Sequence, residues 1–127
     1  MELTFDSQLE RKANLQTICD PTWEQIEEAI RRLDGKVHTE VLLSKAGQLS
    51  IGGGAGQYFV SIFTDDERSL IAIDQSKTAQ EHTALVSGGQ TVSLPKRQIV
   101  DVDAALRAAR AYFETERPDP TLTWDTA

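Results

Sequence analysis

With 127 residues and a mass of 14.0 kDa, the chain has the length of one domain, too short for separate catalytic and binding domains. Its composition, 39% hydrophobic and 26% charged, is that of a soluble globular protein and excludes a disordered chain. A net charge of −7, from 13 Lys+Arg against 20 Asp+Glu, opposes direct binding to nucleic acid or anionic membranes and favours either simple solubility or a basic partner.

Met1 to Asp6 alternates, with Leu3 and Phe5 on one side and Glu2, Thr4 and Asp6 on the other, the pattern of a half-buried strand. Ser7 to Thr17 is polar and mixed and carries no firm assignment. Asp20 reads as the N-cap of a helix with Pro21 at its first position. Trp23, Ile26, Ile30 and Leu33 form its apolar stripe, and Glu27–Arg31 and Glu28–Arg32 are i,i+4 pairs on the solvent side. Asp34-Gly35 ends it, because glycine accepts the left-handed conformation.

The middle of the chain reads as β-structure. Runs at Thr39–Ser44, Gln48–Ile51, Tyr58–Thr64 and Ser69–Asp74 are separated by turn signals. Lys45-Ala46-Gly47 is a tight hairpin connection, Gly52 to Gly56 a longer permissive one, and Asp65 to Arg68 an acidic turn. Tyr58, Val60 and Ile62 share one face of their strand and Phe59, Ser61 and Phe63 the other, which predicts a central strand covered on both sides. Gln75 to Thr83 reads as a polar loop, followed by Ala84-Leu85-Val86, the turn Ser87-Gly88-Gly89-Gln90, and a strand at Thr91–Leu94 that Pro95 breaks. Arg97 to Val100 reads as extended.

A second helix runs from about Val102 to about Thr115, capped by Asp101 or Asp103, with a core stripe of Val102, Leu106, Ala109 and Phe113 and with Arg107 and Arg110 outward. Arg117-Pro118-Asp119-Pro120 stops it, and Thr121 to Trp124 forms a terminal strand or anchor. The expected class is α+β: a mainly antiparallel sheet of about five to seven strands, two principal helices against it, and a single domain over residues 1–127.

Residues able to do chemistry are few. A single cysteine excludes an internal disulfide and a cysteine-rich zinc site, and Cys19 reads as a small half-buried residue before the first helix. The glycine stretch lacks the helix, or the Lys-Ser/Thr, that a phosphate loop needs. His38 and His82 pair by spacing with neither a nucleophile nor a metal set. No enzyme activity, cofactor or metal is therefore expected. Trp23 and Trp124 are expected to lock helix and terminus onto the sheet. Asp65, Asp66 and Glu67, with Asp74 and Glu81 beyond them, make the region after the central strand locally negative; it is either a solvated edge or a patch that steers a basic protein. No apolar run approaches the roughly 20 residues that span a bilayer, and the N-terminus lacks a basic start and an apolar signal core, so the expected location is a reducing cytoplasm.

Taken end to end, the chain resembles the first-numbered immunity-protein family of bacterial polymorphic toxin systems. The resemblance rests on Asp20-Pro21-Thr22-Trp23-Glu24 opening a helix that ends in Leu33-Asp34-Gly35, on Leu49-Ser50-Ile51-Gly52-Gly53, and on the strand Tyr58-Phe59-Val60. It continues through Gly88-Gly89-Gln90, Pro95, Val100-Asp101 opening a helix with Ala105, Ala109 and Phe113, then Arg117-Pro118 and Leu122-Thr123-Trp124. It implies an α+β protein that binds and neutralises a cognate toxin, one acting on nucleic acids such as a deaminase or nuclease, without catalysis; the chain itself is expected to be a monomer when free. It supplies no contact motif. Trp23, Gly52, Gly53, Gly88, Gly89 and Trp124 look like markers of the fold, and Asp65, Asp66, Glu67, Asp74 and Glu81 are the candidate toxin contacts. The competing expectations are a small-ligand module with a pocket between sheet and helix, and an enzyme with His38 or His82 beside a carboxylate.

Overall fold

Strands whose inward positions are apolar build the sheet. The structure, a computed structural model, describes residues 1–9 and 12–127. Among these, β1 (Glu2–Leu9), β2 (Lys12–Cys19), β3 (Glu40–Ser44), β4 (Gln48–Gly54), β5 (Gln57–Phe63), β6 (Ser69–Ile73) and β9 (Thr123–Thr126) form one sheet in the order β2-β1-β3-β4-β5-β6-β9. Every neighbouring pair in it is antiparallel. Two further strands, β7 (His82–Ser87) and β8 (Gln90–Pro95), form a separate antiparallel hairpin. The helices are α1 (Trp23–Arg31) and α2 (Val102–Thr115). The molecule is α+β, as its sequence predicts.

One face of the sheet is dry. Leu3, Val41, Leu43, Leu49, Ile51, Val60 and Ile62 project from it and are essentially inaccessible, against Ile26, Ala29 and Ile30 of α1 and Ala105, Ala108, Ala109 and Tyr112 of α2. Burying a side chain of this size contributes about 1.5–3 kcal/mol, so this layer supplies most of the drive to fold. The alanines of α2 let its axis lie close to the sheet. That turns α2 from the expected orientation: its buried line is Ala105, Ala108, Ala109 and Tyr112, while Val102, Leu106 and Phe113 are only half-buried at its flanks.

Several local expectations are corrected. The N-cap of α1 is Thr22, not Asp20: Asp20 turns the chain at φ 49°, whereas Thr22 is extended and exchanges hydrogen bonds with Gln25 in a capping box (3.2 and 2.9 Å). Ser7 to Thr17 falls in the second half of β1 and in β2, with Glu10 and Arg11 outside the described residues. Gly52 to Gly54 continue β4, leaving Ala55-Gly56 as the turn. Lys96–Gln98 is a short 3-10 turn rather than extended chain, and only Val100 pairs with β5, through Tyr58. Cys19 is exposed. Strand β5 is central but covered on one side alone, since Phe63 is 50% exposed.

Candidate functional site

The outer face of the sheet, opposite the helices, is divided. At one end the β7–β8 hairpin lies across it. Gly52, on the outer side of β4, has Ser87 directly above: a Cβ there would stand 2.3 Å from the Ser87 hydroxyl, so only glycine permits the approach. The tip of the hairpin turns through Gly88 and Gly89, at φ 60° and 78°, and the Gly89 N–H donates to Thr39 Oγ1 at 3.0 Å.

That contact belongs to a buried polar cluster around Asp6. The Asp6 carboxylate, 1% exposed, accepts from the backbone N–H of Thr39 (2.7 Å) and Glu40 (2.9 Å), from Gln8 Nε2 (3.0 Å) and from the Thr39 hydroxyl. His38 Nδ1 meets the Asp6 carbonyl oxygen at 3.0 Å. Burial pushes the Asp6 carboxyl up, but the hydrogen bonds from Thr39, Gln8 and Glu40 outweigh it and hold it below the usual 3.8. Glu40, half-buried beside that charge, is pushed above its usual value by burial and by Asp6. The sequence hides this cluster because Asp6 occupies what looks like the solvent side of an amphipathic strand. His38 thus has a structural partner, and His82 is exposed, with Nδ1 3.3 Å from the Gln80 carbonyl oxygen.

The candidate carboxylates fall into two groups. Asp65, Asp66 and Glu67 form the exposed β5–β6 turn, beside the β3–β4 turn at Gly47. Thr64, 2% exposed, ties this turn down: its hydroxyl donates to Asp66 and accepts from the Arg68 N–H at 3.0 Å. The Thr64 hydrogen bond, and after it Arg68, lower the Asp66 carboxyl. Arg68 pairs with Asp66 at 3.2 Å; among the described residues Asp65 and Glu67 are in no ion pair. Asp74 lies past the other end of β6, about 17 Å of strand away at the usual rise per residue. It caps Ser76, which with Lys77 lowers its carboxyl, and Lys77 stands 3.8 Å from it. Glu81 pairs with Lys96 at 3.0 Å in the same neighbourhood, since Arg97, next to Lys96, bonds through its carbonyl to the Asp74 N–H. The first group is therefore net negative; in the second, Lys77 and Lys96 pair with Asp74 and Glu81 and balance them locally.

Between the acidic turn and the hairpin, the outer face is open. Across β4, β5 and β6 it forms a shallow groove of about 250 Å³ with Ser50 and Ser61 in its floor and Phe59, Phe63 and Ile71 beside them. A second, more polar cleft of about 340 Å³ lies at the start of α2, bordered by Asp74, Asp101, Asp103 and Arg107. Its carboxylates have partners: Asp101 caps Ala104 at 2.9 Å and Asp103 reaches Arg107 at 3.5 Å. Away from that cleft, the buried core residues lie between sheet and helices.

Both tryptophans are half-buried. The Trp23 ring stands 6.2 Å from that of Phe113 and 4.9 Å from the Arg110 guanidinium, joining α1 to α2, and Trp124 donates from Nε1 to the Asp119 carbonyl at 2.9 Å. Among the described residues no three His, Cys, Asp or Glu side chains are grouped to hold a metal ion, and no helix is long and apolar enough to cross a membrane.

No curated protein matches the chain. A family model described as Immunity protein Imm1 matches residues 18–126. The match takes in everything from the end of β2 onward: α1, the sheet from β3 to β9, the hairpin that covers Asp6, and α2. The chain belongs to the Imm1 immunity protein family.

Proposed function

We propose that the chain binds a cognate toxin that acts on nucleic acid, such as a deaminase or nuclease, and neutralises it by covering its basic active-site region, with no reaction of its own. Family membership carries this reading. Charge supports it: an enzyme that grips phosphates needs a basic groove, and a protein of net charge −7 is attracted to one. Working in the cytoplasm as a free monomer, it would meet the toxin at the rate that attraction allows.

Among the candidate contacts, Asp65, Asp66 and Glu67 are best placed to steer, being exposed, adjacent and offset only by Arg68. Asp74 and Glu81 form a second and weaker contact group, because Lys77 and Lys96 already neutralise them. Reversing Asp65, Asp66 and Glu67 to lysine should slow association with the toxin encoded beside this chain roughly tenfold at low salt, with the difference shrinking as salt rises. Stopped-flow or surface-based kinetics reads this directly; an unchanged association rate would remove the turn from the interface. A folded wild-type chain that neither binds the toxin nor protects cells from it would end the reading as a whole.

A further inference from the structure

We infer that the open part of the outer sheet face, the groove between Phe59, Phe63 and Ile71 together with the acidic turn beside it, is the surface that receives the toxin, and that the toxin fits it with an apolar side chain flanked by Lys or Arg. The inference rests on the toxin-binding reading above and adds the surface and the chemistry of its occupant.

An antiparallel sheet packed on one side presents polar residues on the other. Here the solvent side follows that rule across most of its width and departs from it locally, on β5 and β6. The register places Thr17, Thr4, Leu42, Ser50, Ser61, Ile71 and Asp125 in one outward row across all seven strands. The neighbouring rows of β5 add Phe59 and Phe63, the latter 50% exposed. Apolar groups gathered on one exposed face mark a contact surface more often than scattered ones do. The serines between the aromatics are short, so the floor is recessed and can admit a side chain.

Charge selects the occupant. Asp65 and Glu67 lie in the turn that joins Phe63 to Ser69, two residues that line the groove, and Asp125 of β9 is the register partner of Ile71, which also lines it. Arg68 stands among them but is bound to Asp66. A basic rim around an apolar knob matches this surface. A second copy of the chain would bring two acidic rims together, a like-charge juxtaposition that costs association.

The test uses a catalytically inactive form of the toxin encoded beside this chain. Phe63→Lys removes the exposed anchor and sets a cation against the basic rim; Ser61→Trp fills the floor without changing charge. Each should weaken binding about thirtyfold or more, the loss typical of a central anchor, and abolish protection in co-expression. Arg31→Ala, on the far side of α1, should bind within about twofold of wild type. Thermal melts of the free proteins establish that each variant is folded, and Ser61→Trp decides the matter if Phe63→Lys does not fold. Folded groove variants that bind like the wild type overturn this surface and leave the toxin-binding reading intact, whereas a wild-type chain that does not bind overturns both. A wild-type dimer in ultracentrifugation that Phe63→Lys disperses would assign the face to self-association and overturn the inference as well.

Discussion

Both faces of the sheet carry large apolar side chains near its centre, more of them on the inner face, and the two sets have different fates. On the inner face Leu49, Ile51, Val60 and Ile62 are sealed under α1 and α2. On the outer face Phe59, Phe63 and Ile71 stand around a groove lined with serine. The inner set is held by closeness of packing, with alanines on α2 allowing the helix down to the sheet. The outer set contributes less to folding, because Phe63 keeps half of its accessible surface and Phe59 and Ile71 are only half-buried. Apolar residues that folding does not require are the ones available for binding. Within the outer face a second contrast repeats the lesson: the hairpin end is fastened by Asp6 and Thr39, while the end beside the acidic turn is left open.

The largest effect is expected from the inner face. Leu49→Ala, at a fully inaccessible position, should cost about 2–5 kcal/mol, because the lost transfer energy is joined by a cavity. Urea unfolding measures it, and a cost below about 1 kcal/mol would mean the layer is loosely packed. Next comes the fastened end of the outer face. Asp6→Asn replaces a carboxylate that accepts four hydrogen bonds by an amide that cannot accept them all, and should cost about 1.5–3 kcal/mol at neutral pH.

The same residue gives a pH signature. The Asp6 carboxyl is lower in the folded chain than its ordinary 3.8, so the stability it contributes is complete above that value and is lost as the pH falls through the folded value. Wild-type stability should therefore drop below about pH 4, and Asp6→Asn should flatten that drop. Glu40, raised by burial, works the other way: its stabilising contribution is present at acid pH and disappears as the pH rises through its folded value. A wild-type profile with no acid-side loss would contradict the geometry around Asp6. The smallest effect belongs to the open groove, where Phe63→Ser, at a half-exposed position, should cost about 1 kcal/mol. A larger loss would mean that this face is part of the core after all.

Much of the inner face is legible in the sequence. The alternation of Tyr58, Val60 and Ile62 places them inward, and Asp101 with the prolines after Arg117 brackets α2 at Val102–Thr115. What the sequence hides depends on partners distant in the chain. Strand β2 lies at the sheet edge, where Leu15 is exposed and Ile18 is only partly buried, so its residues show no apolar period. The hairpin at His82–Pro95 looks like two more strands of the same sheet; the contacts of Ser87 with Gly52 and of Gly89 with Thr39 show that it crosses the sheet instead. Asp6 becomes a buried anchor through Thr39, 33 positions later, and Gly89, a further 50 on. The five candidate carboxylates are neighbours along the chain, but β6 sets Asp74 and Glu81 apart from Asp65, Asp66 and Glu67. Phe63 reads as core from its type, and its exposure follows from the absence of a covering layer above it among the described residues.

Hydroxyl-radical footprinting of the chain, free and bound to its inactive toxin, tests the central claim most directly. The account predicts that oxidation of Phe59 and Phe63 falls sharply in the complex while Trp23 and Phe113, on the helix side, react as before. Protection of Trp23 and Phe113 with Phe63 still fully reactive would show that the toxin sits on the other side of the molecule.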